Sequence, residues 1–426
     1  MQTILQIFKS LSQYPRCSGD TVLAREYLTR FCEKIGYRVE VDTAGNVAAY
    51  FGGEPKVTLQ AHYDMVCIGR APHMQIEEKE GWLRAKESSL GADNGIGAAM
   101  MLYLAQKGAP VDLLFTNDEE IGLLGAQDLA LAIRTDALIN LDTEEAGRVY
   151  IGCAGGEDIF AEVAWPDRKK VENGRWLKLT ARAPGGHSGV NIAEEIPNAI
   201  IELADAIYRN RAVEVASFTG GERINAIPRR AEAVVWVPNG ADLTLPEGIL
   251  AQPAQPRETV AVKGRCFVGA LAGFAHGVRA WNSRLDLPQS SINLAMAEMD
   301  GALMRVALSA RSMSNKALEA LVERTVAGWE VLGFACRREG KYPAWDPVET
   351  PLAKKALALY QKHYPDADMT AIHAGLECAL FAERYPHMQI VSLGPTILDP
   401  HSDRERLEIA SIEPVLQTVE ALISAL

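Results

Sequence analysis

The sequence contains no hydrophobic run that approaches the ~18 consecutive apolar residues needed by a membrane-spanning helix. Its first residues, MQTILQIFKSLSQYP, also lack the basic start, continuous apolar middle and small-residue cleavage site of a secretory signal. Short-period repeats and low-complexity segments are absent as well. We therefore expect a protein that neither crosses a membrane nor is built from repeats.

Cysteine is present but never in a recognisable framework. The seven cysteines are odd in number, scattered along the chain and never spaced as CxxC. This spacing argues against both a disulfide framework and a zinc knuckle. It predicts a protein of a reducing compartment, the cytoplasm.

Basic residues are fewer than acidic residues. The chain has 43 Lys and Arg against 55 Asp and Glu, for a net charge of -12. An excess of negative charge argues against nucleic acid and anionic membranes as partners, but it is compatible with a small cationic or zwitterionic substrate. With 48% hydrophobic and 23% charged residues in 426, the chain has the composition of a soluble globular protein of two domains.

The order of predicted elements indicates an α/β protein with an insertion. Residues 38–51 read as a hairpin, and strand 111–116, helix 125–133 and strand 137–141 form a β-α-β-α series. Such alternation predicts a mostly parallel sheet sandwiched by helices. The pattern changes to α+β near Gly174 and returns to helix–strand alternation after Pro343. We therefore expect a catalytic domain formed by 1–174 and 344–426, with an inserted α+β lid domain at 175–343.

Polar clusters stand next to the short apolar runs of this first domain. The runs Val57–Gln60, Val111–Thr116 and Ala137–Leu141 each lead into acids or a histidine. In a parallel sheet such residues meet at the carboxyl edge of the strands. They are His62, Asp64, Asp93, Asp118, Glu119, Glu120, Asp142, Glu144 and Glu145. So many carboxylates require a positive partner, and two divalent metal ions would meet that requirement.

The spacing of these residues suggests which of them bind metal, which orient a ligand and which transfer protons. Asp64 lies two residues after His62, on the same side of an extended strand, and could hold the imidazole from behind. Asp93, between glycines before a helix, is placed to bridge two metals. Of the adjacent Glu119 and Glu120, one would bind metal and the other would transfer protons.

Two further ligands complete the predicted metal set. Asp142 follows the next strand, and His401 is the candidate nitrogen ligand from the tail. A set of His and carboxylate without Cys suits Zn²⁺, with Co²⁺ or Mn²⁺ as substitutes.

Each motif alone also has a purely structural interpretation. A histidine at a strand end is commonly structural, Asp-Glu-Glu is commonly a solvated cap, and Gly-Ala-Asp-Asn-Gly is commonly a turn that caps a helix. Their recurrence at successive strand ends of one α/β unit favours the metal site.

The fragments also resemble a known family in collinear order. They are HYDMV, LGADNGIG, DEEIGLLGA, LINLDTEE, YIGCAGG, GGHSG, IHAGLECALF and SLGPTILDPHS. Together they are similar to the aminoacyl-histidine dipeptidases (Xaa-His dipeptidase, carnosinase-like), a branch of the co-catalytic zinc metallopeptidases. The resemblance is dense over 57–156 and 369–402, and it implies a zinc-peptidase-like sheet with an inserted lid.

The resemblance implies a role for each matched residue. His62 and Asp142 would bind one zinc ion, Glu120 and His401 the other, and Asp93 would bridge both. Glu119 would be the general base, with Asp64 orienting His62. In the lid, His187 would stabilise the oxyanion, and Asn225 and Arg311 would hold the substrate carboxylate. Glu377 would help to hold the substrate amine or serve as a structural cap, and we derive no role for His373.

The resulting hypothesis is a cytoplasmic di-zinc dipeptidase. It would hydrolyse unblocked dipeptides, Xaa-His such as β-Ala-His or Xaa-Xaa more broadly, by attack of a metal-bridging water. The alternatives are an N-acyl-amino-acid amidohydrolase or an aminopeptidase with the same metal site, and a catalytically silent binding protein. The partners expected are the small peptide substrate and, as a protein partner, a second copy joined through the lid.

Overall fold

The three apolar runs form the centre of a parallel sheet in the computed structural model, which describes residues 1–426. The chain divides into two units. Unit 1 comprises Met1–Cys153, Trp345–Ala371 and Leu376–Leu426, and unit 2 comprises Ala154–Ala344 and Ile372–Gly375. The predicted boundary at 174–175 falls at the start of a unit 2 strand, and unit 2 begins earlier because the strand after Ala154 pairs within it.

The first part of unit 1 contains four helices and eight strands. In chain order they are α1 (Gln2–Leu11), α2 (Val22–Lys34), β1 (Arg38–Val41), β2 (Val47–Tyr50), β3 (Val57–His62), β4 (Ile76–Lys79), β5 (Trp82–Ala85), α3 (Ala92–Gln106), β6 (Val111–Thr116), α4 (Leu124–Gln127), β7 (Ala137–Asn140) and β8 (Arg148–Cys153). The hairpin predicted for 38–51 is β1–β2, with Val41 paired to Val47.

Unit 2 is built on a large antiparallel sheet with helices. Its elements are β9 (Gly155–Ala164), β10 (Arg168–Lys170), β11 (Gly174–Arg182), β12 (Gly186–His187), α5 (Ala199–Arg209), β13 (Glu214–Gly220), β14 (Ala226–Ile227), β15 (Arg230–Pro238), β16 (Ile249–Pro253), β17 (Thr259–Ala261), α6 (Gly264–Ala272), β18 (Gly277–Asn282), β19 (Leu287–Asp300), β20 (Leu303–Ser312), α7 (Asn315–Val331) and β21 (Ala335–Tyr342). The sheet has the order β16-β11-β15-β13-β19-β20-β9-β21, and helices α5, α6 and α7 pack on it around a core of its own.

The chain then returns to unit 1. The remaining elements are α8 (Pro351–Tyr360), β22 (Asp368–Ile372), α9 (Cys378–Arg384), β23 (Gln389–Ser392), β24 (Ile397–Leu398), β25 (Arg406–Glu408) and α10 (Ile409–Ala425). The main sheet of unit 1 has the order β1-β2-β6-β3-β7-β23-β8-β22. Its central neighbours β6, β3, β7 and β23 run parallel, and antiparallel pairs flank them.

The cores of the two units are separate. In unit 1, α3 packs on β3 and β6, and α8 packs on β23 and β8. Strands β3, β6 and β7 are buried along their whole length, as expected of parallel strands covered on both faces. The predicted α/β fold with an inserted α+β region is confirmed. None of the helices combines the length and the apolar character needed to span a bilayer.

Two local predictions are wrong. The helix expected over 125–133 ends at Gln127, because the amide of Ala130 donates to Asp42 Oδ2 at 3.0 Å instead of continuing the helix. The expected lack of disulfide bonds also fails at one pair. Cys17 and Cys67 are bonded, with Cα atoms 5.4 Å apart, because a β-bridge between Cys17 and Met65 brings the two segments together.

Candidate active site

The predicted ligands meet at the carboxyl edge of the parallel strands of unit 1. His62 ends β3 and is in register with Thr116 at the end of β6, while Gln60 is in register with Asn140 at the end of β7. The acids follow directly after these strand ends. The sheet therefore brings together side chains from distant parts of the sequence.

Asp93 lies between two histidines. Its Oδ1 is 3.0 Å from His62 Nε2, and its Oδ2 is 3.0 Å from His401 Nε2. On the first side, Asp142 Oδ1 is 3.2 Å from the same nitrogen of His62. On the second side, Glu120 Oε2 is 2.9 Å from His401 Nε2. The result is two neighbouring sets of nitrogen and oxygen donors that share one carboxylate.

Each set can hold a metal ion. The ligand atoms of His62, Asp93 and Asp142 lie within 4.8 Å of one another, and so do those of Asp93, Glu120 and His401. A third group, His62, Glu119 and Glu120, overlaps both. Two imidazoles and hard carboxylate oxygens suit Zn²⁺ and similar divalent ions, and a shared carboxylate suits a pair of them. The donor set therefore fits the predicted two-metal centre.

Asp64 supports this cluster from behind. It is fully buried, and its Oδ1 is 3.3 Å from His62 Nδ1. The same carboxylate accepts the amide of Glu119 at 3.1 Å, the amide of Glu120 at 3.3 Å and the Ser18 hydroxyl at 2.8 Å. One side chain thus orients the imidazole and also fixes the backbone of the two glutamates.

Asn94 fixes the position of Asp142. Its side-chain amide donates to the Leu141 carbonyl at 2.8 Å and to Asp142 Oδ1. The peptide bond between Asp93 and Asn94 is cis. The Asn94 hydrogen bonds thus connect the candidate ligand Asp142 to the residue that directly follows the candidate ligand Asp93.

The pKa values reflect the crowding of charge. Burial disfavours the imidazolium of His401, but hydrogen bonds to Asp93 and Glu120 outweigh it and raise its pKa to about 11. Burial also raises the pKa of Glu119 well above its usual value, and the nearby Asp142 and Glu120 raise it further. Burial opposes ionisation of Asp93, yet its bonds to both histidines lower its pKa. The cluster therefore favours cationic partners for its carboxylates, as a metal site must.

Glu377 is a buried carboxylate beside the strand ends. Its Oε2 accepts from Gln60 Nε2 at 2.6 Å and from Thr116 Oγ1 at 2.7 Å, while its Oε1 is buried without a partner. Burial raises its pKa to about 8, despite the nearby His62. Asn140 extends the network, since its amide donates to Gln60 Oε1 at 2.5 Å. Glu377 thus has one carboxylate oxygen available for a further donor.

Sequence reasoning missed two residues beneath the cluster, Arg16 and Glu405. Arg16 is fully buried and donates to the carbonyls of Tyr63, Asp64 and Gly91. Glu405 is 3% exposed and accepts four successive amides, from Leu90 to Asp93. Both act on backbone groups far away in sequence, so no local motif reveals them.

Unit 2 holds the three residues predicted for the lid. His187 lies in β12, which pairs with β14 so that His187 is opposite Ala226. Asn225 is the residue directly before Ala226 in the sequence. Its Nδ1 accepts the amides of Gly189 at 3.2 Å and Val190 at 3.1 Å. Because Nδ1 is an acceptor, the neutral ring carries its proton on Nε2, which is then a hydrogen-bond donor.

Arg311 and His373 lie close to the same turn. A Cβ added to Gly189 would lie 3.2 Å from His187 Cε1 and 3.3 Å from Arg311 Nε, so both side chains flank this glycine. Arg311 donates to the Tyr342 hydroxyl at 2.8 Å, and its Nε is buried without a partner. His373 Nε2 is 2.7 Å from Ser291 Oγ. Buried donors of this kind suit an anionic group.

A parallel core of strands that carries two histidines and several carboxylates at its carboxyl edge is typical of metal-dependent enzymes. Residues 58–425 match peptidase family M20/M25/M40, and the chain belongs to this family of metallopeptidases. It is therefore an enzyme that hydrolyses peptide bonds, as the sequence predicted.

Individual relatives extend the comparison. The chain is 30% identical over 461 residues to the cytosol non-specific dipeptidase of Escherichia coli (strain K12), covering 96% of this chain and 95% of the relative. Its structure is similar to that of aminoacylhistidine dipeptidase from Vibrio alginolyticus, with a TM-score of 0.83, 28% identity and coverage of 100% and 96%. A Bacillus subtilis protein described as a dinuclear metal-binding peptidase of the M20 family shares the fold, with a TM-score of 0.50, 11% identity and coverage of 99% and 96%.

Proposed function

We propose that the protein is a di-zinc dipeptidase acting on unblocked dipeptides, Xaa-His such as β-Ala-His among them. The observation that carries the proposal is the position of Asp93, whose two oxygens each face a histidine at 3.0 Å. His62 and Asp142 would hold one ion, Glu120 and His401 the other, and Asp93 both. The names of the two relatives, a non-specific dipeptidase and an aminoacylhistidine dipeptidase, support this reaction class.

Bound zinc would supply Lewis acidity, lowering the pKa of a water molecule and polarising the scissile carbonyl. Glu119 takes the proton of the attacking water and returns it to the leaving amine. Burial raises the pKa of Glu119 above the usual carboxyl range, which makes the carboxylate a stronger base toward that proton. Asp64 keeps the amide of Glu119 in place.

The two ends of the substrate need opposite charges from the protein. For the free amino end we assign Glu377, whose Oε1 is buried without a partner. An ammonium group at this place would pair with Glu377 and favour its ionised form, whereas an N-acyl group would not, and this favours a dipeptidase over the N-acyl-amino-acid amidohydrolase.

For the carboxylate end we assign Arg311 and Asn225, because a planar guanidinium binds a carboxylate in bidentate fashion. We assign oxyanion stabilisation to His187, whose ring presents Nε2 as a donor. Capture of a terminal carboxylate at a fixed place would limit the substrate to dipeptides.

Substrate profiling tests the reaction class. Metal-stripped and zinc-reloaded protein is assayed against β-Ala-His, other Xaa-His and Xaa-Xaa dipeptides, tripeptides and N-acetyl amino acids. We expect zinc to restore hydrolysis of dipeptides, and the ranking measures the preference for C-terminal His. Hydrolysis of N-acetyl amino acids alone would overturn the substrate assignment, and cleavage of tripeptides at equal rates would favour the aminopeptidase.

The general base is tested by Glu119→Gln. The amide keeps the size of the side chain but cannot accept the proton, so we expect kcat to fall by at least about 10³-fold with two zinc ions still bound. Glu145→Gln is the matched control, since Glu145 is exposed and pairs with Arg148. Retained turnover in Glu119→Gln would refute the assignment.

The compartment and the assembly are proposals as well. We place the protein in the cytoplasm, supported by the name of the E. coli relative. The Cys17–Cys67 disulfide is of a kind that is rare in that compartment. We further propose a homodimer formed through unit 2, supported by apolar side chains exposed there, such as Trp281 at 49% and Val331 at 87%. Light scattering that finds only a 46.4 kDa species would contradict the dimer.

A further inference from the structure

Glu405 binds four consecutive backbone amides. Its Oε2 accepts from Leu90 at 2.8 Å and from Gly91 at 2.9 Å, and its Oε1 accepts from Ala92 at 2.7 Å and from Asp93 at 3.3 Å. The amides of Ala92 and Asp93 are the first two of α3, and those of Leu90 and Gly91 directly precede the helix, so none of the four has a partner within it. One buried carboxylate therefore fixes the backbone that carries the bridging Asp93.

Arg16 holds the same segment from its carbonyl side. Its Nη2 donates to the Gly91 carbonyl, and its Nη1 donates at 3.2 Å to the carbonyls of both Tyr63 and Asp64. The segment before Asp93 is thus connected to the residues that follow His62 at the end of β3. Neither Arg16 nor Glu405 is a candidate ligand.

Glu405 also belongs to the loop of His401. Its amide donates to the Ser402 carbonyl at 3.3 Å, and the loop continues into β25, which pairs with β5. His401 is the more exposed of the two histidines, with half of its side chain accessible, and its φ is 55°. Its position against Asp93 therefore depends on how this loop is attached, and Glu405 attaches it directly to the Asp93 segment.

Both oxygens of Asp93 already face histidines, so its orientation rests on its backbone. A shift of residues 90–93 relative to 401–405 would separate Asp93 from His401 before it separated His62 from Asp142. We propose that Glu405 and Arg16 are positioning residues for the metal centre, and that Glu405 sets chiefly the Asp93–Glu120–His401 site. The proposal rests on the proposed two-metal function.

Zinc affinity of the full-length Glu405→Gln variant is the direct test. The amide keeps the shape of the side chain, but its NH₂ group would face amide donors and could accept from none of them. We expect the variant to retain one zinc ion after dialysis, where the wild type retains two, and to bind the second at least about tenfold more weakly. Elemental analysis gives the stoichiometry, and competition with a chromogenic chelator gives the affinity.

A helix cap with only a structural role provides the matched control. Thr350 caps α8 in unit 1 by accepting the Ala353 amide at 3.1 Å, and it contacts none of the candidate ligands. Thr350→Ala should lower the unfolding midpoint of the zinc-free protein without changing either zinc affinity. If Thr350→Ala and Glu405→Gln lose zinc equally, the loss follows from general destabilisation and the proposal fails.

The remaining outcomes separate this inference from the function on which it rests. Two zinc ions bound by Glu405→Gln with wild-type affinity would overturn the positioning role alone. A wild type that binds no zinc would overturn the proposed function. If Glu405→Gln does not fold, Arg16→Lys takes its place, since it keeps the charge but loses the fork of donors. For Arg16→Lys the affinity should fall at least about tenfold at a zinc site that includes Asp93, which belongs to both sites, and unchanged affinity would refute the proposal.

Discussion

The two glycines that flank Asp93 have a specific steric cause. A Cβ on Gly91 would collide with the guanidinium of Arg16, and a Cβ on Gly95 would lie 2.6 Å from Arg16 Nη2. Gly91 also has a φ of 65°, which side chains disfavour. The motif GADNG is therefore shaped by a buried arginine more than seventy residues earlier in the chain. A substitution by alanine at either glycine would displace Arg16 before it touched a ligand.

Single residues were predictable from sequence where their chemistry follows a strand. His62, the Glu119–Glu120 pair and Asp142 were found because an apolar run precedes each of them. Arg16 and Glu405 could not be found in this way, because their partners are backbone groups and such contacts leave no residue pattern.

His276 gives a pH prediction for unit 2. Its Nδ1 accepts the amide of Leu294 at 3.2 Å, which requires a neutral ring, and burial lowers its pKa to about 4. The unfolded chain, with an ordinary pKa near 6.5, binds the proton more readily. Stability is therefore fully present above about pH 6.5 and is lost as the pH falls toward 4, by up to about 3 kcal/mol. Urea unfolding of unit 2, followed between pH 7 and 4, measures this loss.

The His276→Asn variant provides the comparison. Its side-chain oxygen can accept the Leu294 amide but does not titrate in this range. The wild type should therefore lose more unfolding free energy than the variant as the pH falls from 7 to 4. The extra loss is the contribution of His276. Parallel pH profiles would show that His276 carries no such linkage.

At the scale of elements, the parallel strands were predicted better than the segments between them. Buried strands need continuous apolar runs, so β3, β6 and β7 were visible in the sequence. The end of α4 was not visible in the sequence. The Ala130 amide donates to Asp42 and Arg134 pairs with Asp112, and these long-range bonds hold the chain outside the helix. Tertiary hydrogen bonds override helix propensity there.

The disulfide joins two segments that flank the site. Cys17 lies next to Ser18, which donates to Asp64, and Cys67 follows the same strand end. A bond across 50 residues restricts the unfolded chain, so the double variant Cys17→Ser/Cys67→Ser should lose about 2–4 kcal/mol of unfolding free energy. Urea denaturation of zinc-free protein measures the loss.

Reduction and an exposed cysteine serve as controls. Wild type in excess dithiothreitol should match the double variant, and Cys266→Ser should unfold like the oxidised wild type because Cys266 is exposed and free. Identical unfolding with and without reductant would show that the bond contributes nothing to stability.

At the scale of the molecule, zinc should act on one unit. All five candidate ligands lie in unit 1, so binding stabilises the folded state of that unit directly. Free zinc at about 100 times its dissociation constant gives about 2.7 kcal/mol, or about 100-fold slower exchange of amides that open by unfolding of unit 1. Hydrogen exchange with mass spectrometry can compare peptides from β3 and β7 with a peptide from β15 of unit 2. Protection of β15 equal to that of β3, or no protection of β3, would contradict the ligand assignment.

The insertion of unit 2 into unit 1 was visible in the sequence, because the alternation of strands and helices gives way to an α+β pattern and later returns. The first boundary was less visible, because β9 continues the small-residue sequence after Cys153 while pairing with strands β20 and β21. The pairing of β9 with strands so distant in sequence depends on the packing of the whole sheet, and the local sequence does not specify it.

The return of the chain to unit 1 also sets a time order for the appearance of activity. His401 follows Asp93 by 308 residues, so a ribosome adding about 5–20 residues per second needs roughly 15–60 s between them. During that interval the nascent chain would have the proposed bridging carboxylate, and soon the proposed base, but not the last histidine. On the proposed ligand assignment, the second metal position would form only when nearly all of the sequence has been made.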